Sequence, residues 1–257
     1  MVIKVFANNS DKFDQHFLID QNIIKKYVEV MDLHSDDYVI EIGPGECVIS
    51  RMIASKVKKL DLIELDQRLS VFINPLISDY NNVSVTYGDV LDVYINSCDK
   101  IVSSLPYSIT EPFIEKLLRS DFKKCILIVG KKFALSVINN NITKLALLTN
   151  SFFNVKYHFD ITPECFNPAP RVMSSVITIT KKDKNDISDR KLRMFRELFF
   201  NRTKKIKNSL MEAFILLDRI TKREAKNIID EMNLSSILDK NIENLSNEEI
   251  KMIYERL

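Results

Sequence analysis

Glycine and tryptophan are what this chain most lacks: it has four glycines and no tryptophan in 257 residues. Average chains carry about 7% glycine, so one that remains marks a position where the backbone demands it. Cysteine is sparse as well. Cys47, Cys98, Cys125 and Cys165 stand 51, 27 and 40 residues apart. None has the tight spacing of a zinc site, and a chain this long needs no disulfide framework. The histidines His16, His34 and His158 are equally scattered, so no metal site is expected. No apolar run reaches the roughly 18–20 residues of a membrane helix. The segment Met1–Asn9 lacks the apolar core and cleavage pattern of a secretory leader. A cytoplasmic protein with no membrane partner is expected. Charge of one sign is missing too, since the net charge is only +2.

The composition that is present, 46% hydrophobic and 28% charged, belongs to a globular chain and excludes disordered, collagen-like or coiled-coil architectures. The charge is unevenly placed. From Arg190 to Lys207 there are eight cations against the single anion Glu197, whereas from Glu231 onward six anions face three cations. One basic patch sits inside a balanced protein.

Short apolar runs alternate with helical periods over the first two-thirds. Tyr38–Ile42, Leu60–Glu64, Val83–Tyr87, Lys100–Ser103 and Cys125–Val129 read as strands, and Val48–Val57 and Leu69–Ile77 as helices. This predicts βαβ units, hence a Rossmann-like α/β fold with a parallel sheet. Phe152–Ile161 and Val172–Thr180 read as two further strands, plausibly antiparallel, joined by the proline-rich stretch Pro163–Pro170. After a polar linker over Lys181–Asp189, Leu192–Phe200, Ile206–Leu217, Lys222–Met232 and Asn247–Leu257 are all helix-like. The expected organisation is a catalytic α/β domain over residues 1–182 and a small all-helical domain over 183–257.

Glu41-Ile42-Gly43-Pro44-Gly45-Glu46 ends a buried strand in a glycine-bracketed turn and enters a helix. In doubly wound sheets ligands lie outside such carboxyl ends; the same turn also occurs without a ligand. A dinucleotide site wants a third glycine or alanine where Val48 stands, and Glu41 and Glu46 are poor neighbours for a pyrophosphate. They suit a cation. S-adenosyl-L-methionine, with a sulfonium, an ammonium and no phosphate, fits better. Glu64 ends the next strand, where an acid can accept both ribose hydroxyls, and Asp89 follows Gly88 at the end of the third. Each acid alone is as readily an N-cap; three at the ends of consecutive strands point to a nucleoside cofactor. The fourth strand runs into Ser103-Ser104-Leu105-Pro106-Tyr107. An exocyclic base amine is a weak nucleophile because its lone pair is delocalised into the ring. Acceptors for its N–H groups, at Ser104 and at a carbonyl held rigid by Pro106, would localise that pair, while Tyr107 stacks on the extruded base.

These residues carry a resemblance. Gln15-His16-Phe17-Leu18, Glu41–Gly45, Glu64-Leu65-Asp66, Gly88-Asp89, Leu105-Pro106-Tyr107 and Phe166–Val172 occur in the order found in the ribosomal RNA adenine N6,N6-dimethyltransferase family, of the KsgA and Erm type. Leu198–Lys205 resembles the basic start of that family's helical domain. The resemblance spans about residues 13–210 and implies contacts. His16 and Leu18 would close over the methionine end of the cofactor, and Gly43 and Gly45 would let the backbone approach it. Glu64 would hold the ribose and Asp89 the adenine. Ser104, Leu105, Pro106 and Tyr107 would handle the target base, with Phe166 on its other face; Phe166 reads otherwise as a core aromatic. Arg190, Arg193, Arg202, Lys204, Lys205 and Lys207 would grip RNA.

The chain departs from the family pattern at Ser104, where asparagine is usual, at Asp14 for glycine and at Met173 for an acid. Lys4 and Lys12 are the only cations in its lead-in. The implied activity is S-adenosylmethionine-dependent dimethylation of adenosine in small-subunit ribosomal RNA during ribosome biogenesis. The partner would be a precursor of the small ribosomal subunit and the enzyme a monomer. A methyltransferase-like factor that binds RNA or a pre-ribosome with little catalysis, and a resistance-type enzyme acting on large-subunit RNA, are the alternatives.

Overall fold

The computed structural model describes residues 15–257; Asp14, Lys4 and Lys12 lie outside the described residues. Two compact units emerge: residues up to Ala134 together with Val155–Thr180, and Leu135–Asn154 together with Lys181–Leu257.

The first unit is built on a seven-stranded sheet. In chain order its strands are β2 (Tyr38–Ile42), β3 (Lys59–Glu64), β4 (Val83–Tyr87), β5 (Cys98–Ser104), β6 (Phe122–Gly130), β7 (Phe153–Ile161) and β9 (Ser174–Lys181), and across the sheet they run β4-β3-β2-β5-β6-β9-β7. β4, β3, β2, β5 and β6 are parallel, and β9 is antiparallel to β6. All seven strand expectations hold, with ends moved by at most three residues. The central strands are continuous apolar runs because helices cover both faces: Val39, Ile101, Val102, Ile126 and Leu127 are fully buried. Helices α2 (Val48–Ala54) and α3 (Ser70–Asp79) fall close to where the periodicity places them. Lys100 on β5 pairs with Asp37 at the amino ends of the strands, and both are buried.

Several elements were not evident from periodicity. Helix α1 (Gln21–Val30) is started by Asp20, whose carboxylate accepts the N–H groups of Asn22 and Ile23. Helix α4 (Thr110–Leu117) buries Phe113, Ile114 and Leu117. Another is a two-stranded ribbon in which β1 (Phe17–Leu18) pairs antiparallel with β8 (Phe166–Asn167), setting Leu18 opposite Phe166. A two-residue strand is too short to leave a period-2 signature, and Pro163–Pro170 therefore reads only as a connection.

The second unit is helical. Helices α7 (Arg190–Phe200), α8 (Ile206–Asp218), α9 (Lys222–Glu231) and α10 (Asn247–Arg256) match the expected stretches. Met194, Phe195, Leu198, Leu210, Phe214, Ile229, Ile250 and Ile253 form its apolar interior. Capping boxes start α9 at Thr221 with Glu224 and α10 at Ser246 with Glu249. Helices α5 (Lys131–Ile138) and α6 (Lys144–Phe152) lie before the expected linker, and α6 belongs to this unit. No helix among the described residues is long and apolar enough to cross a membrane.

Candidate active site

The parallel strand order reverses between β2 and β5, the topological switch point where open α/β sheets bind ligands beyond the strands' carboxyl ends. A cavity of about 440 Å³ opens there. The turn backbone closes its floor: Gly43 N–H bonds the Ile63 carbonyl and Gly88 N–H the Glu64 carbonyl, both at 2.9 Å. These bonds hold the ends of β2, β3 and β4 level, so Gly43 and Gly88, 45 positions apart in sequence, face one space.

His16, Leu18, Gly43, Gly45, Glu64 and Asp89 all line this cavity. Gly43 and Gly45 adopt left-handed backbone, φ +64° and +57°. A Cβ at Gly43 would meet nothing within 4 Å, whereas one at Gly45 would lie 2.9 Å from two ring carbons of Phe17. We expect Gly45→Ala to lose about 1–2 kcal/mol from the left-handed conformation alone and more from displacing Phe17, so that it is less stable than Gly43→Ala. Urea denaturation of the two variants gives the comparison; equal midpoints would mean Phe17 yields without cost.

Glu64 is buried, with Oε1 accepting Asp66 N–H at 2.8 Å and Oε2 accepting Gly45 N–H at 3.3 Å. Burial raises its carboxyl above the usual range, opposed by those backbone bonds. Each oxygen keeps a lone pair for a ligand hydroxyl. Asp89 serves as cap and candidate ligand at once: Oδ1 accepts Leu91 N–H at 2.8 Å. Glu46 stands on the cavity wall. Glu41 corrects the expectation that it flanks the ligand turn: it points into the protein, 2% exposed, with Oε2 unpartnered. Burial pushes its carboxyl up to about 7, and the charge of Glu64 adds to the shift. It ends as an interior residue because both faces of β2 are covered, and Val39, Ile40 and Ile42 are buried with it.

Ser104, Leu105, Pro106 and Tyr107 form the opposite wall, where β5 leaves the sheet. Leu105 N–H bonds the Ile128 carbonyl at 3.0 Å, so the segment leaves in register with β6. Ser104 is half-buried. Tyr107 is fixed by its hydroxyl to Ser174 Oγ (2.6 Å) and stacks on the His16 ring at 6.2 Å. His16 Nδ1 lies 2.7 Å from the Pro168 carbonyl. Phe166 lines the cavity yet is 4% exposed and packs in the main core, so it is a core aromatic that also borders the candidate site. Gln15, Val90 and Ile128 also line the cavity; nothing in the sequence distinguishes Ile128 from the other apolar residues of β6.

The donor set suits S-adenosylmethionine: two acids at adjacent strand ends for a nucleoside, a further acid for a cationic end, and an open approach at Gly43 for the backbone. Among the described residues no group of three or more His, Cys, Asp or Glu is placed to hold a metal.

In the helical unit four of the six predicted cations pair with acids. Arg190 forms a forked pair with Asp218 and also donates to the Leu257 carbonyl. Arg202 pairs with Glu243, Lys204 with Glu212 and Lys205 with Asp239, at 3.1, 2.6 and 2.8 Å. Arg193 has a buried Nε with no hydrogen-bond partner, and Lys207 is half-buried. The run is thus partly neutralised by acids outside it, of which Asp239 and Glu243 are distant in sequence and are brought there by the fold.

Sheet order, glycine turn and strand-end acids together define a Rossmann-like, S-adenosylmethionine-dependent methyltransferase. A model of the family described as ribosomal RNA adenine dimethylase matches residues 6–252, and the chain belongs to that family. A Pyrococcus abyssi protein described as "Probable ribosomal RNA small subunit methyltransferase A" is 32% identical over 253 residues, 96% of this chain and 91% of the relative. A Methanococcus aeolicus protein of the same description is 32% identical, over 96% of this chain and 95% of its own length. Among solved structures, a dimethyladenosine transferase from Plasmodium falciparum superposes with TM-score 0.66 at 22% identity, covering 93% of this chain and 96% of that one. The 23S rRNA methyltransferase ErmE gives 0.62 at 21%, covering 94% and 99%. At these identities the two structures support the fold.

Proposed function

We propose that this enzyme dimethylates N6 of adenosine in small-subunit ribosomal RNA, acting as a monomer in the cytoplasm during ribosome biogenesis. One observation carries the reading: the acids of β3 and β4 and the Ser104–Tyr107 segment, scattered in sequence, line the same cavity. The near-full-length likeness to small-subunit methyltransferases supports that choice of RNA.

The cofactor, when bound, supplies an electrophilic methyl group on a sulfonium. Glu64 holds the ribose hydroxyls, Asp89 the adenine amine, and His16 and Leu18 close over the methionine end, with the Gly43 and Gly45 backbone beneath it. Ser104 Oγ and the Leu105 carbonyl accept the N–H groups of the target amine, and their pull localises its lone pair. Tyr107 and Phe166 flank the base, and Pro106 stiffens the turn. The α/β unit acts as the catalytic domain and the helical unit, which includes α6, as the RNA-binding domain. The test is transfer of labelled methyl groups to small ribosomal subunits lacking the modification, with nucleoside analysis. Dimethyladenosine in small-subunit RNA is expected. Methylation of large subunits alone, or none by a folded enzyme, would overturn the assignment.

Arg190, Arg193, Arg202, Lys204, Lys205 and Lys207 are the proposed phosphate contacts, setting orientation while the base is read in the cavity. The exposed pairs of Lys204 and Lys205 are weak, so exchanging their carboxylates for phosphates costs little. Replacing Arg202, Lys204 and Lys205 by alanine should flatten the slope of log affinity against log salt by about two units, with cofactor affinity unchanged. RNA titrations at several salt concentrations measure this; an unaltered slope would make the patch only a solvated face.

A further inference from the structure

The buried tyrosine of α1 has no part in the site so far described, yet it touches the backbone that presents Ser104. Tyr27 is fully buried. Its hydroxyl proton is shared between the carbonyls of Ile126 (2.8 Å) and Ser103 (3.0 Å), and its oxygen accepts Ser103 N–H at 3.2 Å. One hydroxyl therefore links β5 to β6 at the last residue before Ser104. Burial holds the phenol well above its ordinary range, so it stays a donor at any working pH. The Ser103 side chain is tied in turn to the other neighbouring strand, its Oγ donating to the Ile42 carbonyl at 2.9 Å, next to Gly43.

A strand end is where ladder bonding stops and the backbone frays. Here the last residue before the reacting segment has its N–H, its carbonyl and its hydroxyl all engaged. We propose that Tyr27 is a positioning residue: its hydroxyl fixes the Ser103–Ser104 peptide so that Ser104 Oγ and the Leu105 carbonyl stand where the target amine needs them. The assignment rests on the methyltransferase reading of this cavity and adds to it a residue of α1. The apolar ring of Tyr27 packs in the main core, and a phenylalanine would preserve that packing while deleting the link.

The geometry matters most for the second methyl group. The unmethylated amine has two N–H groups for two acceptors, whereas the monomethylated amine keeps one, so a displaced acceptor has less to compensate it. Tyr27→Phe should lower single-turnover methylation about tenfold, as small misplacements of reacting groups do. It should also raise the ratio of monomethyl- to dimethyladenosine and leave cofactor affinity within twofold. Loss of folded enzyme cannot mimic that ratio, because unfolded molecules reduce both transfers equally.

The experiment is single-turnover methylation of small ribosomal subunits by wild type and Tyr27→Phe, with nucleoside analysis at matched conversion. Hydrogen exchange at the Ser103–Leu105 amides accompanies it. A raised monomethyl ratio with faster exchange confined to Ser103–Leu105 supports the proposal. An unchanged ratio from an active variant, whatever its rate, overturns it. Should wild type itself form no methylated adenosine, the function proposed above falls, and exchange decides the present point: amides as protected in Tyr27→Phe as in wild type would refute the anchoring.

Discussion

Alanine in place of Ser104 is expected to slow single-turnover methyl transfer by about a hundred- to a thousandfold, equivalent to about 2.7–4 kcal/mol, while RNA and cofactor affinities stay near wild type. Ser104 lies on the cavity wall at the end of β5, within a segment kept in register by the Leu105–Ile128 bond. The hydrogen bond it accepts strengthens as the amine lone pair localises, so its loss falls on turnover and not on binding. Ser104→Asn offers a longer acceptor and should keep or raise activity, particularly for the second methyl group. Rates measured on small subunits for wild type and both variants check this. An active wild type whose Ser104→Ala variant is equally fast would remove Ser104 from the chemistry, though not the chain from its family. A wild type inactive on every RNA would favour the binding-factor alternative.

The second large effect concerns Glu64. Glu64→Ala should weaken S-adenosylmethionine binding by about 1.5–3 kcal/mol, the worth of a charge-assisted contact, or roughly ten- to 150-fold in Kd. The direction of its pKa adds a pH dependence. Burial raises the carboxyl above its ordinary 4.5, so on acidification it takes up a proton earlier than a free glutamate would. The ionised form accepts ribose hydroxyls best, so affinity should fall as pH drops toward and through that raised pKa, and Glu64→Gln should abolish this component. Calorimetry between about pH 5 and 8, with the ordinary carboxylate range as reference, follows both effects. A wild-type Kd that is flat with pH, or unchanged in Glu64→Ala, would place the ribose elsewhere.

Much of the site was legible because its parts are local. The left-handed turn at Gly43 and Gly45 is a backbone requirement that stands out in a chain with four glycines, and Glu64 and Asp89 follow recognisable apolar runs. The role of Glu41 was not legible. Whether an acid beside a glycine turn meets ligand or interior depends on what the fold packs over its strand, and Glu41 is buried. The cation run was legible as a segment and incompletely as a surface, because Asp239 and Glu243 reach it only through the packing of the helical unit.

The seven strands of the main sheet, helices α2, α3 and α7 to α10, the glycine turn and the order of the motifs were determined by the sequence alone, since each depends on periodicity and residue type within a few positions. The tertiary structure alone decided which residues meet. Leu18 lies opposite Phe166, Tyr107 bonds Ser174, and Tyr27 reaches across to Ser103 and Ile126. These contacts join positions 67 to 148 residues apart, or span two strands at once. No local pattern encodes such meetings, because they exist only after the sheet has chosen its strand order and the apolar faces of α1 and β9 have found their places against it.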